Sequence, residues 1–225
     1  MGPIYQLSQK EETPLIQYLN KMIKEGKICP SSSTVGSPIL FVPKPNGKGL
    51  RLCVNYRHLN YYMKKDRTPL SIMEELQRRL TGETHITKVD LKSGFYLIRL
   101  ALGHEKVMAF RTKFDLYEYM VMPFGLCNAP ATFQREINRI RRPLLGIELA
   151  INTQTHVDED DGMVVVAYID DRSIATKGSL DKHHKQVSTV FQLLMDNNMC
   201  IEIVECIVDP TKTTFLSFVV SGMGL

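Results

Sequence analysis

From Met163 to Ala167 the chain reads MVVVA with no polar residue, then reaches Tyr168 and presents two adjacent aspartates, Asp170 and Asp171. A short β-branched apolar run of this kind predicts a buried strand. Apolar residues resume at Ile174, so MVVVAYIDDRSIAT reads as a hairpin or strand pair. The same reading predicts a strand starting at His85 in HITKVD, and two more in KVMAFRT and YEYMVMP. ILFVPKP and LRLCVNYRHLN flank the turn PNGKG, the pattern of a hairpin. Helical spacing marks Thr13–Gly26, the segment PLSIMEELQRRLTG closed by Gly82, NAPATFQREINRIRRPLL, and SLDKHHKQVSTVFQLLMDNN with Ser179 as N-cap. The C-terminal ECIVDPTKTTFLSFVVSG predicts short strands around a turn at Asp209-Pro210. The sum is a mixed α+β chain with an antiparallel sheet.

With 225 residues and 44% hydrophobic composition, the chain can bury a real core as one domain or two lobes. No apolar run is long enough to span a bilayer, and the N-terminal sequence lacks the apolar stretch of a signal peptide. Five cysteines without a CxxC pair fit reduced thiols in an intracellular protein, cytoplasmic or nuclear. The net charge of +4 is unevenly spread: residues 1–80 carry +7, residues 81–142 carry +4, and residues 143–225 carry −7. A basic front and an acidic back suggest a polyanion at one end and cations at the other. The acidic stretch His156–Gly162 reads as a solvated surface loop.

Two adjacent carboxylates beside a buried strand repel one another and lose hydration. A divalent cation between them removes both costs, and Mg²⁺ suits a site of few protein oxygens. Adjacent strand residues face opposite sides, so a tight turn at Ile169-Asp170-Asp171 is needed to bring both carboxylates to one place. Asp90, at the end of HITKVD, is a third carboxylate for a two-metal site. Phe95, five residues on, is either a core aromatic or a surface for a nucleotide sugar.

The order and spacing of GSPILFVPKPNGKGLRLCVNYRHLN, KVDLKSGFYLIRL, AFRTKFDLYEYMVMPFGLCNAPATFQ, AYIDD and FLSFVVSGMGL resemble the reverse transcriptases of gypsy-type (LTR) retrotransposons. The resemblance runs from about Pro3 to Leu225. It implies the fingers and palm of a right-hand polymerase, with fingers at about 1–64 and 98–128 and palm at about 65–97 and 129–225. The palm would be an antiparallel sheet backed by helices. It implies an RNA-directed DNA polymerase that adds dNTPs to a primer on an RNA or DNA template, with Mg²⁺ or substitute Mn²⁺. Asp90, Asp170 and Asp171 match the catalytic metal carboxylates, with the Leu91 carbonyl as a further metal ligand. Tyr168 and Ile169 complete the YxDD block. Lys44, Arg51, Phe95, Phe124 and Gly125 match dNTP-binding positions, with Phe95 excluding a ribose 2′-hydroxyl. Phe215, Leu216 and Ser217 match the primer grip.

Five positions depart from the family pattern. Asn55 stands for an aspartate, Val107 for a lysine, Arg172 for an apolar residue, Glu205 for a lysine and Ser217 for a glycine. Arg172 would either pair with Asp171 and compete with metal or turn outward; Glu205 would remove a proton donor to pyrophosphate. Against the resemblance, the sequence is expected to end at the primer grip and to lack the thumb, protease, RNase H and integrase of a Pol polyprotein, as in a truncated or decayed copy. The alternative function is therefore a catalytically inactive nucleic-acid-binding remnant.

Overall fold

A computed structural model describes residues 8–43, 49–68, 73–142, 157–158, 163–168, 171–210, 212–215 and 218–221. In chain order the elements are α1 (Gln9–Lys24), β1 (Ile28–Pro30), β2 (Ser37–Pro43), β3 (Leu50–Val54), α2 (Arg57–Tyr62), α3 (Met73–Leu80), β4 (His85–Val89), β5 (Phe110–Arg111), β6 (Leu116–Tyr119), α4 (Ala129–Arg141), β7 (Val157–Asp158), β8 (Met163–Tyr168), β9 (Asp171–Thr176), α5 (Leu180–Asp196), β10 (Lys212–Phe215) and β11 (Phe218–Ser221). They form two compact units. Unit 1 comprises Met1–Asp66 and Phe95–Ala129; unit 2 comprises Arg67–Gly94 and Pro130–Leu225.

In unit 1 a five-stranded sheet runs β1-β6-β5-β2-β3. Strands β2 and β3 pair antiparallel from Ile39↔Val54 to Pro43↔Leu50, the hairpin that the sequence pattern predicts. Helix α1 begins four residues before Thr13, because the Glu11 carboxylate accepts from the Ser8 backbone N–H at 2.7 Å. Its apolar face buries Leu15, Leu19 and Met22. A tyrosine cluster ties the helix to the sheet: the Tyr18 hydroxyl lies 2.7 Å from that of Tyr119 and 3.1 Å from that of Tyr96. The Tyr56 hydroxyl donates to the buried carbonyl of Met108 at 2.7 Å.

Two segments of unit 1 differ from the periodicity reading. LRLCVNYRHLN is a strand only to Val54, and α2 follows. The Asn55 side-chain oxygen accepts from the Arg57 backbone N–H at 3.3 Å and from its Nε at 3.0 Å, which turns the chain out of the sheet. In KVMAFRT, Glu105–Met108 is a 3₁₀ turn and only Phe110–Arg111 is strand.

In unit 2 an antiparallel sheet runs β4-β9-β8-β7. It is covered on both faces, which is why β8 reads as a continuous apolar run. On one face Val164, Val166, Ile86 and Ala175 pack with Leu76 and Leu80 of α3. On the other Val89, Val165 and Ile174 meet Ile137 of α4 and Val190 and Leu194 of α5. Burying each such Val, Leu or Ile side chain contributes roughly 1.5–3 kcal/mol, so this sheet is the main apolar investment of the unit. The expected acidic loop is corrected in part: Val157–Asp158 pairs with β8 as a short strand. The C-terminal strands β10 and β11 pair antiparallel, Phe215 with Phe218, and the chain bends at Asp209 between the Ile207 bridge and β10, as the sequence predicts. Asp209 adopts φ 44° at this bend.

Ser179 caps α5, its hydroxyl accepting from the Lys182 N–H at 3.3 Å. His183 is fully buried, its Nε2 lying 2.8 Å from the Thr87 hydroxyl and its Nδ1 2.9 Å from the Thr176 hydroxyl. Burial holds this imidazole below its usual value; Asp209 pulls it up, while His85 and His184 push it further down. The unfolded chain therefore binds more protons as pH falls, so this contribution is complete above the unfolded value of about 6.5 and is lost as pH drops through it. The melting temperature is expected to fall between about pH 7.5 and about pH 5.5, and the fall to be smaller in His183→Gln. Equal pH dependence in the two proteins would exclude His183 as the titrating group.

Candidate functional site

The β8–β9 register pairs Tyr168 with Asp171 and Ala167 with Arg172, leaving a two-residue connection, Ile169-Asp170. Those two residues lie outside the described ones. Strand β9 also pairs with β4, Val89 opposite Arg172. Asp90 is the next residue after Val89, so the register sets it across from Asp171 at the same end of the sheet. Two of the three expected carboxylate positions thus adjoin through backbone pairing alone. Tyr168 is half-buried against the α3 face of the core.

The backbone at Asp90 is held by the chain that follows α5. Its carbonyl accepts from the Glu202 N–H at 3.0 Å, and its N–H donates to the Cys206 sulfur at 3.4 Å. The Cys206 thiol is pushed up, first by burial. Lys88 exchanges both backbone hydrogen bonds with Ile207, at 2.8 and 3.0 Å. Leu91 pairs with Ile201, but the bonds of that bridge run from Lys92 to Cys200 and from Glu202 to Asp90. Leu91 therefore occupies the non-hydrogen-bonded position, where its own carbonyl points away from residue 201. Carboxylates and a carbonyl are hard-oxygen donors of the kind that divalent cations take. Among the described residues no three His, Cys, Asp or Glu side chains form a metal cluster.

Arg172 does not turn outward. It is 5% exposed, and its guanidinium lies 5.1 Å from the centre of the Phe133 ring. Arg141 is buried in the same core, donating to the Val165 carbonyl and to Asn138, each at 2.8 Å. Burial, then Arg172 and Arg79, pushes the Arg141 guanidinium down to about 10. Gln134 of α4, 1% exposed, donates to the Ala167 carbonyl at 3.1 Å and so braces β8 next to the carboxylate turn.

In unit 1, Arg51 is exposed on β3 opposite Val42, and Lys44 lies outside the described residues. Phe95 is buried in the 3₁₀ turn Gly94–Leu97, edge-to-face with Phe124 at 4.9 Å. Phe124 is 40% exposed and also meets Tyr96 at 5.4 Å. Gly125 has φ +96°, and a Cβ there would sit 3.3 Å from the Val54 carbonyl. Its own carbonyl accepts from Asn60 at 2.8 Å. Of the primer-grip set, Phe215 ends β10, while Leu216 and Ser217 lie outside the described residues.

Residues 42–220 match the family model described as reverse transcriptase (RNA-dependent DNA polymerase). The chain belongs to the reverse transcriptase family. Its relatives include the Transposon Tf2-3 and Tf2-4 polyproteins of Schizosaccharomyces pombe, each 36% identical over 206 residues, which is 92% of this chain and 14% of the relative. The chain thus spans about one seventh of these relatives' length. Among solved structures, the foamy viral protease-reverse transcriptase in complex with RNA/DNA hybrid shares the fold at TM-score 0.83 and 19% identity, over 98% of this chain and 27% of that one. Another form of that enzyme, in complex with dsDNA, gives TM-score 0.84 at 20% identity, over 99% of this chain and 36% of that one. Reverse transcriptases are nucleotidyltransferases, and the gypsy-type resemblance agrees with the transposon polyproteins found.

Sequence reasoning missed the residues that position the candidate site. Gln134, Asn60 and Cys206 act through hydrogen bonds to backbone, and a lone amide or thiol carries no periodic signal. The other departures are less disruptive than Arg172: Val107 is surface-exposed, Glu205 is exposed in the 3₁₀ turn Ile203–Glu205, and Asn55 holds Arg57. Gly125→Ala is expected to destabilise the protein by about 1–3 kcal/mol, since the new Cβ meets backbone and φ is positive. Thermal unfolding measures this; an unchanged midpoint would show that the loop relaxes freely.

Proposed function

We propose that this chain is the fingers and palm of an RNA-directed DNA polymerase that extends a primer with dNTPs. Unit 1 is assigned to the fingers and unit 2 to the palm. The observation that carries the reading is the strand register, which pairs Val89 with Arg172 and Tyr168 with Asp171 and so brings Asp90 and Asp171 to one end of the sheet, with Asp170 in the two-residue connection between β8 and β9. Asp90, Asp170, Asp171 and the Leu91 carbonyl would hold divalent metal, Mg²⁺ or Mn²⁺. When bound, the metal supplies charge stabilisation for the attacking and leaving oxygens of nucleotidyl transfer. The hydrogen bonds from Glu202 and to Cys206 fix the Asp90 backbone, so its carboxylate is oriented before substrate arrives. Arg51 and Lys44 bind the triphosphate of the incoming nucleotide, Arg51 by paired guanidinium donors and Lys44 as a point charge. Phe95, buried and packed against Phe124, is assigned the role of excluding a ribose 2′-hydroxyl. Phe215, Leu216 and Ser217 form the primer grip. RNA or DNA template is held through its backbone, with strong salt dependence.

The catalytically inactive nucleic-acid-binding reading draws on one observation, the buried cation Arg172 directly after the carboxylate turn. Single-nucleotide extension of a DNA primer on an RNA template separates the two. Extension with Mg²⁺ or Mn²⁺ that disappears in Asp170→Asn supports the polymerase; no extension by a folded wild-type chain contradicts it. In an active chain Phe95→Val is expected to raise rNTP incorporation by at least about tenfold, the equivalent of about 1.4 kcal/mol in discrimination. Unchanged dNTP preference would remove Phe95 from this role.

A further inference from the structure

The chain between α5 and β10 runs along the end of β4 and past Asp90. It leaves α5 firmly: Met199 is buried, and its N–H donates to the Leu194 carbonyl at 2.9 Å. Beyond that point its apolar side chains stay in water. Ile203 and Val204 are 74% and 91% exposed, and Ile207 and Val208 are exposed as well. A segment that buries so little apolar surface opens locally at small cost, so its seating depends on its polar contacts. The backbone supplies several: Lys92 N–H to the Cys200 carbonyl at 2.9 Å, Glu202 N–H to the Asp90 carbonyl at 3.0 Å, and the Lys88–Ile207 exchange. The Lys92–Glu202 ion pair, at 3.7 Å and largely solvated, adds little.

The far end is tied by side chains. His85 Nδ1 lies 2.9 Å from Asp209 Oδ1. A carboxylate only accepts, so Nδ1 carries the proton and donates it to this bond. The Asp209 N–H donates to the Thr87 hydroxyl at 3.4 Å. Both partners belong to an enclosed polar cluster that joins β4, β9 and α5. Thr87, Thr176 and His183 have no exposed surface, and the His183 imidazole bonds both threonine hydroxyls. The His85 ring lies 5.6 Å from that imidazole. Asp209 takes φ 44°, which a side chain disfavours and glycine adopts freely. An aspartate at such a position gains only the contacts of its carboxylate.

We propose that the His85–Asp209 hydrogen bond is a latch that keeps residues 200–208 seated on β4 and thereby positions Asp90. It acts through the segment it closes, because the Glu202 N–H and the Cys206 sulfur hold the Asp90 backbone only while that segment is in place. His85 and Asp209 are positioning residues and touch no metal. The inference rests on the reading of Asp90 as a metal carboxylate and adds the contact that controls its placement.

Residue-resolved hydrogen exchange and Mn²⁺ titration by electron paramagnetic resonance, both on the whole chain, test it with two variants. Asp209→Gly removes the carboxylate and relieves the backbone, so a residue that merely shaped the bend would leave the segment as firm or firmer. The latch predicts the opposite. Exchange of the Lys88, Glu202 and Ile207 amides is expected to rise about tenfold or more in Asp209→Gly, with the β8 and β9 amides unchanged as the control for folding. Mn²⁺ binding is expected to weaken about tenfold in the same variant. Asp209→Asn tolerates the positive φ and keeps an oxygen for the His85 N–H, so it is expected to stay close to wild type in both measurements. Unchanged exchange in Asp209→Gly would overturn the proposal. So would faster exchange with Mn²⁺ binding unaltered, or an Asp209→Asn segment as loose as that of Asp209→Gly. A wild type that binds no Mn²⁺, with the three amides loosened in Asp209→Gly, would refute the metal reading and leave the latch standing.

Discussion

A strand covered on both faces cannot carry unpaired carboxylates along its length, because each would lose its hydration with nothing in return. In unit 2 this constraint drives acidic residues to strand ends. Strand β8 is apolar from Met163 to Ala167, β4 is buried at Ile86, Thr87 and Val89, and the aspartates fall where the pairing stops. Register then does the rest. With Val89 opposite Arg172 and Tyr168 opposite Asp171, one end of the sheet gathers Asp90 and Asp171. Slipping either pairing by one residue would exchange the side chains that face α3 with those that face α4 and α5, so the geometry of the carboxylate end is tied to the packing of Leu76, Leu80, Ile137 and Val190.

Arg172 is the cost visible in this arrangement. A guanidinium in that core is accommodated by the Phe133 ring, with Arg141 nearby bonded to the Val165 carbonyl and Asn138. Burial first, and then the second cation in the same interior, depress Arg141. Unit 1 solves its packing differently. Hydroxyl contacts among Tyr18, Tyr96 and Tyr119 join helix to sheet, and side-chain amides of Asn60 and Asn128 fix α2 and the residues after it.

Much of this was legible in the sequence, and what was not has physical causes. The β8–β9 hairpin, β4, α3, α4 and α5 have clear periods or unbroken apolar runs, and all five are present. The family followed from blocks in fixed order. By contrast, α2 is six mostly polar residues, begun by an Asn55 side chain and held by tertiary bonds, so it has no periodic signature. Glu105–Met108 and Val157–Asp158 are too short to reveal themselves by pattern. Arg172 read as outward or carboxylate-paired because charge predicts solvent; only the position of Phe133 shows how it is buried. The support behind Asp90 comes from Glu202 and Cys206, more than a hundred residues later, a long-range pairing that local pattern cannot encode.

We propose that the sheet end carrying Asp90 and Asp171 holds a divalent cation. Manganese titration of the folded chain, followed by electron paramagnetic resonance, tests it directly against Asp90→Asn. Bound Mn²⁺ is expected in the wild type, with at least a roughly tenfold weaker interaction in the variant and both proteins folded. Superimposable titrations of the two proteins would contradict it.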